Sequence, residues 1–292
     1  MINLKRMSDC SFETAVDVWN RGFHRYVVDL TLNLEQLLSR IYADEISVDR
    51  SFIAFKEDKP VGFVMNAFRE IEGRKLAWNG GTGVVPELRG QGVGRVLMDA
   101  ALNLYQTEKV DLALLEAISD NHPAIALYKK CGYEIKDELT LLQTDVATLN
   151  FEMSGKFSVE RVNVPEVSSL PFYRELEPWQ CQWQSLLRAQ GEACVVYDNR
   201  DQPVGYALFQ KKLDPKGRLL SIALYQCEVV PGQVDAADIA AHALKRVFVD
   251  SPGNFRRSTH DFRKSNEVVI ELLTKAGFTT FIEQVHMIKT FG

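Results

Sequence analysis

The sequence predicts an α/β protein built from two tandem modules, and three observations carry that expectation. An apolar run from Leu76 to Val85 stops at Pro86 and is followed by Gly90, Gly92, Gly94 and a helical pattern. A second segment, Leu114 to Tyr133, reads in order as strand, loop, helix and strand. Both features recur in the second half of the chain at a constant offset of 145 positions, 84 to 229 and 121 to 266. With 292 residues the chain can form two compact domains of roughly 150 residues each.

The elements follow from local chemistry. Asp9 or Ser11 can cap a helix whose apolar positions Phe12, Ala15, Val16, Trp19 and Phe23 share a face, and a second helical stretch spans Leu34 to Ile41. Asp58-Lys-Pro-Val-Gly-Phe-Val-Met is a tight turn feeding a strand. The strand that ends at Pro86 must turn there, because proline has no N–H to continue a ladder. Gly90, Gly92 and Gly94 let the backbone approach a ligand and adopt positive φ. From Val93 the apolar positions Val93, Val96, Leu97, Ala100, Ala101 and Leu104 mark one buried helical face. The glycines therefore sit at a helix N-terminus, where orphan N–H groups and the dipole favour an anion such as a pyrophosphate. In the next segment Asp120 or Asn121 can cap a helix with Pro123 in its first turn and Gly132 at its end.

A P-loop would close on Gly-Lys-Ser/Thr, which Gly94-Arg95-Val96 does not supply. A dinucleotide fingerprint would read Gly-x-Gly-x-x-Gly near the start of a βαβ unit, whereas this is Gly-x-Gly-x-Gly deep in the chain. Arg89-x-x-Gly92-x-Gly94 after Val84-Val85-Pro86 instead resembles the acyl-CoA-binding loop of the GNAT superfamily of N-acetyltransferases. The Leu114–Tyr133 segment resembles that family's second motif, with Asn121 and Tyr128 at its functional positions.

The resemblance implies modules with a mixed, mostly antiparallel central sheet flanked by helices. It also implies acetyl transfer from acetyl-CoA to an amine, here expected to be a small molecule. The cofactor would be held by Val84, Val85, Arg89, Gly90, Gln91, Gly92, Val93, Gly94 and Arg95, with Asn121 on the pantetheine arm. Tyr128 would protonate the leaving thiolate, and a backbone N–H near Val85 would steady the thioester oxygen. The residues around Phe23 to Asp29, with Tyr26 and Asp29 foremost, would line the acceptor pocket. Glu116, Glu70 and a water chain all stand as candidates for the base. The rival reading is a non-catalytic acyl-CoA-binding sensor. Retention of Tyr128 beside Asn121 favours an enzyme, since binding alone needs no phenol at the sulfur.

Asp58-Lys-Pro-Val-Gly recurs as Asp201-Gln-Pro-Val-Gly, Val84-Val-Pro as Val229-Val-Pro, and Asn121 through Tyr133 as Asn266 through Phe278. The expected modules are 1–148 and 156–292, joined near 144–156, with a swapped terminal strand able to blur the border. A fixed offset puts Val234, Asp235, Ala237 and Ile239 opposite Arg89, Gly90, Gly92 and Gly94, and Leu273 opposite Tyr128. Added side chains and acidic charge oppose phosphate binding, so the second module reads as degenerate. Its retained core suggests packing against the first module, a monomer acting as a pseudo-dimer.

Composition narrows the classes. Hydrophobic content of 46% and charged content of 25% suit a globular protein. A net charge of −5 without a basic run argues against nucleic-acid or anionic-membrane surfaces. The excess acid lies in residues 1–150, which hold 17 Lys+Arg against 22 Asp+Glu, compatible with a cationic acceptor but explained as well by a solvated surface. Neither a signal sequence nor a spanning run is visible, and the expected location is cytoplasmic. The five cysteines form no close pair and the five histidines have no ligand spacing, so neither disulfides nor a metal is expected.

Overall fold

The computed structural model describes residues 1–146, 148–251 and 253–291; Ala147, inside the expected join, and Pro252 and Gly292, inside the expected second module, lie outside them. Two compact units emerge: Met1–Lys136 with His286–Gly292, and Asp137–Val285. The chain thus changes unit at Lys136, ahead of the join read from the repeat, and its last strand is divided between the units.

In the first unit the chain order is β1 (Asn3–Arg6), α1 (Phe12–Gly22), α2 (Leu34–Ala43), β2 (Phe52–Lys56), β3 (Lys59–Ile71), β4 (Arg74–Val84), α3 (Val93–Thr107), β5 (Leu112–Ile118) and α4 (His122–Lys130). Strands β1 to β4 are antiparallel neighbours. β5 joins β4 in parallel, from Leu76↔Leu112 to Trp78↔Leu114. Beyond Trp78 the register with β5 ends while β4 runs on to Val84, so the two strands fork. A β-bulge sits at the fork: Met65 faces Gly81 and Asn66 faces Asn79, leaving Gly80 extra. Only glycine fits there, because a Cβ would lie 2.5 Å from the Trp78 ring and 2.8 Å from Ile46.

Helix α1 is capped by Ser11, whose hydroxyl accepts from the Thr14 N–H, and not by Asp9. Its buried face is Ala15, Val18, Trp19 and Gly22, while Phe12 is exposed. Trp19 stacks on Phe63 with centroids 5.1 Å apart, joining the helix to β3. In α3 the buried residues are Val93, Leu97, Met98, Ala101 and Tyr105, so Met98 and Tyr105 take the core places expected of Val96 and Leu104. Heptad-like counting erred by a fraction of a turn at both helices, since a broad apolar stripe leaves its centre undefined.

The second unit begins within β6 (Glu134–Thr144), followed by β7 (Ser158–Val162), α5 (Val164–Val167), α6 (Trp183–Arg188), β8 (Glu192–Tyr197), β9 (Pro203–Leu213), β10 (Leu219–Val229), α7 (Ala236–Phe248), β11 (Arg256–Thr259), β12 (Phe262–Arg263), α8 (Glu267–Lys275) and β13 (Thr279–Thr290). Strands β7 to β10 are antiparallel neighbours, and β11 joins β10 in parallel, the same plan as β1 to β5. Helix α7 packs on β9 and β10, with Ile239, Leu244, Val247 and Phe248 in the core. Each unit is a mixed, mostly antiparallel sheet flanked by helices. The segment of β13 that belongs to the first unit, from His286 on, lies beside β5. Among the described residues no helix is long and apolar enough to cross a membrane.

Candidate active site

The turn after β4 is built as its sequence requires. Pro86–Leu88 forms one 3-10 turn, and Gly90 and Gly92 take φ of +74° and +86°, with nothing within 4 Å of where a Cβ would stand. Gly92 is the N-cap of α3 and supplies no side chain to it. Among the described residues no carbonyl accepts from the N–H groups of Gly90, Gly92, Val93, Gly94 or Arg95. A helix N-terminus with open space above two glycines and several unmet donors is a cradle for an anion.

The side chains around this cradle mostly hold its shape. Arg89 donates to the carbonyls of Val84 (3.0 Å), Gly22 (2.9 Å) and His24 (3.3 Å), tying the turn to the end of α1. Gln91 donates to the Glu87 carbonyl at 2.8 Å. Arg95 is engaged by Asp99 one turn on, through both carboxylate oxygens. Val85 is buried and its N–H donates to the Val61 carbonyl at 3.0 Å. That N–H is therefore spent on β3 and does not offer itself to a thioester oxygen. Strand alternation turns the neighbouring Val84 N–H to the opposite edge of β4, the edge that β5 has left.

Three side chains meet at the mouth of the fork. Asn121 caps α4, its carbonyl oxygen accepting from the Ala124 N–H at 3.3 Å, and its amide donates to the Tyr26 hydroxyl at 3.4 Å. Tyr128, one helical face further along α4, is 7% exposed. Burial pushes its phenol well above the ordinary range, Tyr26 adds to this, and a hydrogen bond with the Thr82 side chain works the other way. Burial likewise raises Tyr26, while Asn121 and then Arg89 pull it back. Tyr26, one of the two acceptor-side candidates, thus lies with Asn121 and Tyr128. Asp29 does not join them: it is exposed and accepts from the Thr31 N–H at 2.9 Å.

The two carboxylates proposed as bases part company. Glu70 pairs in register with Lys75, at the opposite end of the β3–β4 hairpin from Val84. At roughly 3.3 Å per residue that is about 30 Å from the cradle, which removes it from the site. It lines instead a separate shallow pocket of about 220 Å³ with Arg50, Arg69, Lys75 and Glu108. Glu116 lies at the fork, 8% exposed, accepting from Trp78 Nε1 at 2.6 Å and bonded to His286 Nδ1 at 2.8 Å. Trp78, Thr82 and His286 were not legible as site residues in the sequence; a histidine more than 150 positions from its partner carries no local pattern.

The corresponding place in the second unit is built differently. The turn between β10 and α7 has six residues (230–235) where that between β4 and α3 has eight (85–92). The fixed offset therefore slips here, and Ile239 packs toward Gly205 much as Val93 and Leu97 pack toward Gly62. Asn266 keeps the cap of α8, but its amide donates to the Cys227 carbonyl (2.8 Å) and to Glu228 (3.0 Å). Arg263 donates to Glu228 at 2.7 Å and to Glu177 at 2.8 Å, both largely buried.

Comparison with known proteins places these features. Residues 13–133 match the model of the acetyltransferase (GNAT) family. The peptidyl-lysine N-acetyltransferase YjaB of Salmonella typhimurium is 24% identical over 136 residues, 46% of this chain and 85% of that protein. A tandem GNAT protein from the clavulanic acid biosynthesis pathway superposes with a TM-score of 0.63 at 12% identity, covering 100% of this chain and 99% of that one. A GCN5-related glucosamine N-acetyltransferase region of a fungal multi-domain beta-N-acetylglucosaminidase gives a TM-score of 0.69 at 16% identity over 98% of this chain, which spans 38% of that protein. These structural likenesses establish the fold, tandem form included.

Proposed function

From the GNAT acetyltransferase domain that residues 13–133 form, we propose that this chain is an N-acetyltransferase that moves the acetyl group of acetyl-CoA to a small-molecule amine by direct attack on the thioester. One observation carries the reading: the unmet N–H groups of Gly90 and Gly92–Arg95 lie beside α4, where Gly94 faces Leu127, next to the fork that holds Asn121 and Tyr128. The pyrophosphate would lie on the cradle, with the pantetheine arm along the free edge of β4 past Asn121. Val84 N–H, on that edge, is the donor for the developing oxyanion. Tyr128 gives its proton to the leaving thiolate. Asn266 and Arg263 fill the second unit's fork, so one acetyl-CoA binds per chain.

The test is release of free CoA thiol in the presence of a panel of amines: spermidine, tyramine, glucosamine and a lysine-containing peptide. The last two are included because relatives of this fold are named for them. Turnover with an amine of the panel is expected, together with calorimetric binding of one CoA per chain. Binding of acetyl-CoA without transfer to any amine would favour the sensor reading instead.

A further inference from the structure

At the fork, a carboxylate and an imidazole are held together with one ring atom left over. Glu116 on β5 accepts from Trp78 Nε1 through Oε2, so its other oxygen, Oε1, is the one that meets His286 Nδ1 at 2.8 Å. A carboxylate only accepts, which fixes the proton on Nδ1 and leaves Nε2 as a bare lone pair. His286 is 1% exposed, and Nε2 has no partner among the described residues. An unmet buried acceptor is costly and calls for a donor that arrives from outside the pair.

The position of the pair gives that donor an identity. Asn79 and Thr82 point to the α3 side of β4, where both approach the Met98 sulfur. Trp78 and Gly80 lie on the other side with Ile46, and Arg40 of α2 donates to the Gly80 carbonyl at 2.8 Å. Tyr128, whose phenol is influenced by Thr82, is therefore on one face of the fork, and the Trp78–Glu116–His286 chain is on the other. Attack on a thioester involves two proton transfers, one from the amine and one to the departing sulfur, and the division lets a different group serve each.

We infer that His286 Nε2 is the group that accepts the proton from the attacking amine, with Glu116 as its positioning residue. The inference rests on the transferase reading above. As the neutral amine nitrogen forms its bond to the thioester carbon, it sheds a proton to Nε2, giving an imidazolium held by Glu116. The C–S bond breaks, and the thiolate takes the Tyr128 proton. Return of the Nε2 proton to the tyrosinate by way of water restores both groups, leaving amide and free thiol. The arrangement generalises the carboxylate–imidazole pair of the hydrolases to an amine nucleophile.

The experiment compares wild type, His286→Ala and Glu116→Gln in steady-state transfer to whichever amine of the panel is active, with acetyl-CoA affinity measured separately and imidazole added back. His286→Ala is expected to lower kcat on the order of 10²-fold or more while acetyl-CoA affinity changes by less than about twofold, with activity partly restored by imidazole. Glu116→Gln, which keeps the shape but no longer fixes the tautomer, is expected to lower kcat by more than about tenfold, up to the order of 10⁴-fold, without rescue. Undiminished turnover in His286→Ala overturns the inference and leaves the transferase reading standing, as does a loss without rescue that tracks a loss of acetyl-CoA affinity. A wild type that binds acetyl-CoA and acetylates no amine overturns the transferase reading, and this inference with it.

Discussion

Replacing Tyr128 by Phe removes one hydroxyl from a site whose ring packing stays intact. The ring lies edge-on to Tyr133 with centroids 6.2 Å apart and is 7% exposed, so the substitution opens no cavity. What is lost is the hydroxyl's polar contact toward Thr82, worth at most about 1 kcal/mol to the fold. For a chain of this size that lowers the melting temperature by at most about 2–4 °C. The effect on chemistry is larger. Burial holds the phenol well above its ordinary range, so the proton stays in place across neutral and alkaline pH. The same burial disfavours the thiolate, which keeps the two acids matched as the C–S bond breaks. Loss of the donor should lower kcat on the order of 10²-fold, about 2.7 kcal/mol of transition-state stabilisation. Acetyl-CoA affinity should hold, because the hydroxyl acts only once the sulfur carries charge. Rapid-quench single turnover with saturating amine isolates that step. Equal single-turnover rates in wild type and Tyr128→Phe would make Tyr128 a packing residue and refute the assignment.

Three further outcomes follow from the same geometry. Gly92→Asp keeps a left-handed position that aspartate tolerates at a cost of about 1 kcal/mol, but sets a carboxylate over the cradle. CoA affinity in calorimetry should fall at least about tenfold, and wild-type affinity would displace the pyrophosphate from this turn. Arg263→Ala leaves Glu228 buried without its paired cation and Glu177 with Arg174 alone, which should cost about 3 kcal/mol in urea unfolding. Calorimetry of the folded variant should still give one CoA per chain; two would show that the arginine alone had blocked a second site. Tyr105, Tyr128, Tyr133 and Tyr206 are all raised by burial, so the unfolded chain releases their protons first as pH climbs past about 10. Their stabilising contribution is complete below that pH and is lost above it, on the order of 1 kcal/mol per tyrosine per pH unit. Equal urea midpoints at pH 8 and pH 11 would contradict this.

What could be read from the chain divides by range. The turn at Pro86, the positive φ at Gly92 and the cap at Asn121 are decided by residues within a few positions of one another, and each stands where its chemistry put it. The split between β4 and β5 was not legible, since it depends on an extra residue at Gly80 that only the rings around it make necessary. Arg89 shows the same limit: its motif position suggested a phosphate contact, yet its guanidinium is occupied by three carbonyls from β4 and the end of α1. The acidic residues illustrate it most plainly. Glu70 and Glu116 look alike in sequence, but one ends a hairpin far from the cradle and the other is clasped between an indole and an imidazole.

Asn121 and Asn266 separate local from functional information in a single residue type. Both cap a helix, and both accept from the N–H three positions on, at 3.3 and 3.4 Å. The cap is the bland role, and it is kept in both units because losing it costs about 1 kcal/mol wherever the helix stands. The amide on the other side of the same group is what differs. In the second unit it is consumed by the Cys227 carbonyl of β10, bridging the strand edge that a bound arm would need. In the first unit it turns outward to Tyr26 through a long 3.4 Å bond, leaving the corresponding edge of β4 open. A weak bond to a side chain on a loop can be exchanged for one to a ligand, whereas a 2.8 Å bond to a buried carbonyl resists exchange. The conserved cap therefore reports the fold, and the partner of its amide reports whether the fork can be entered.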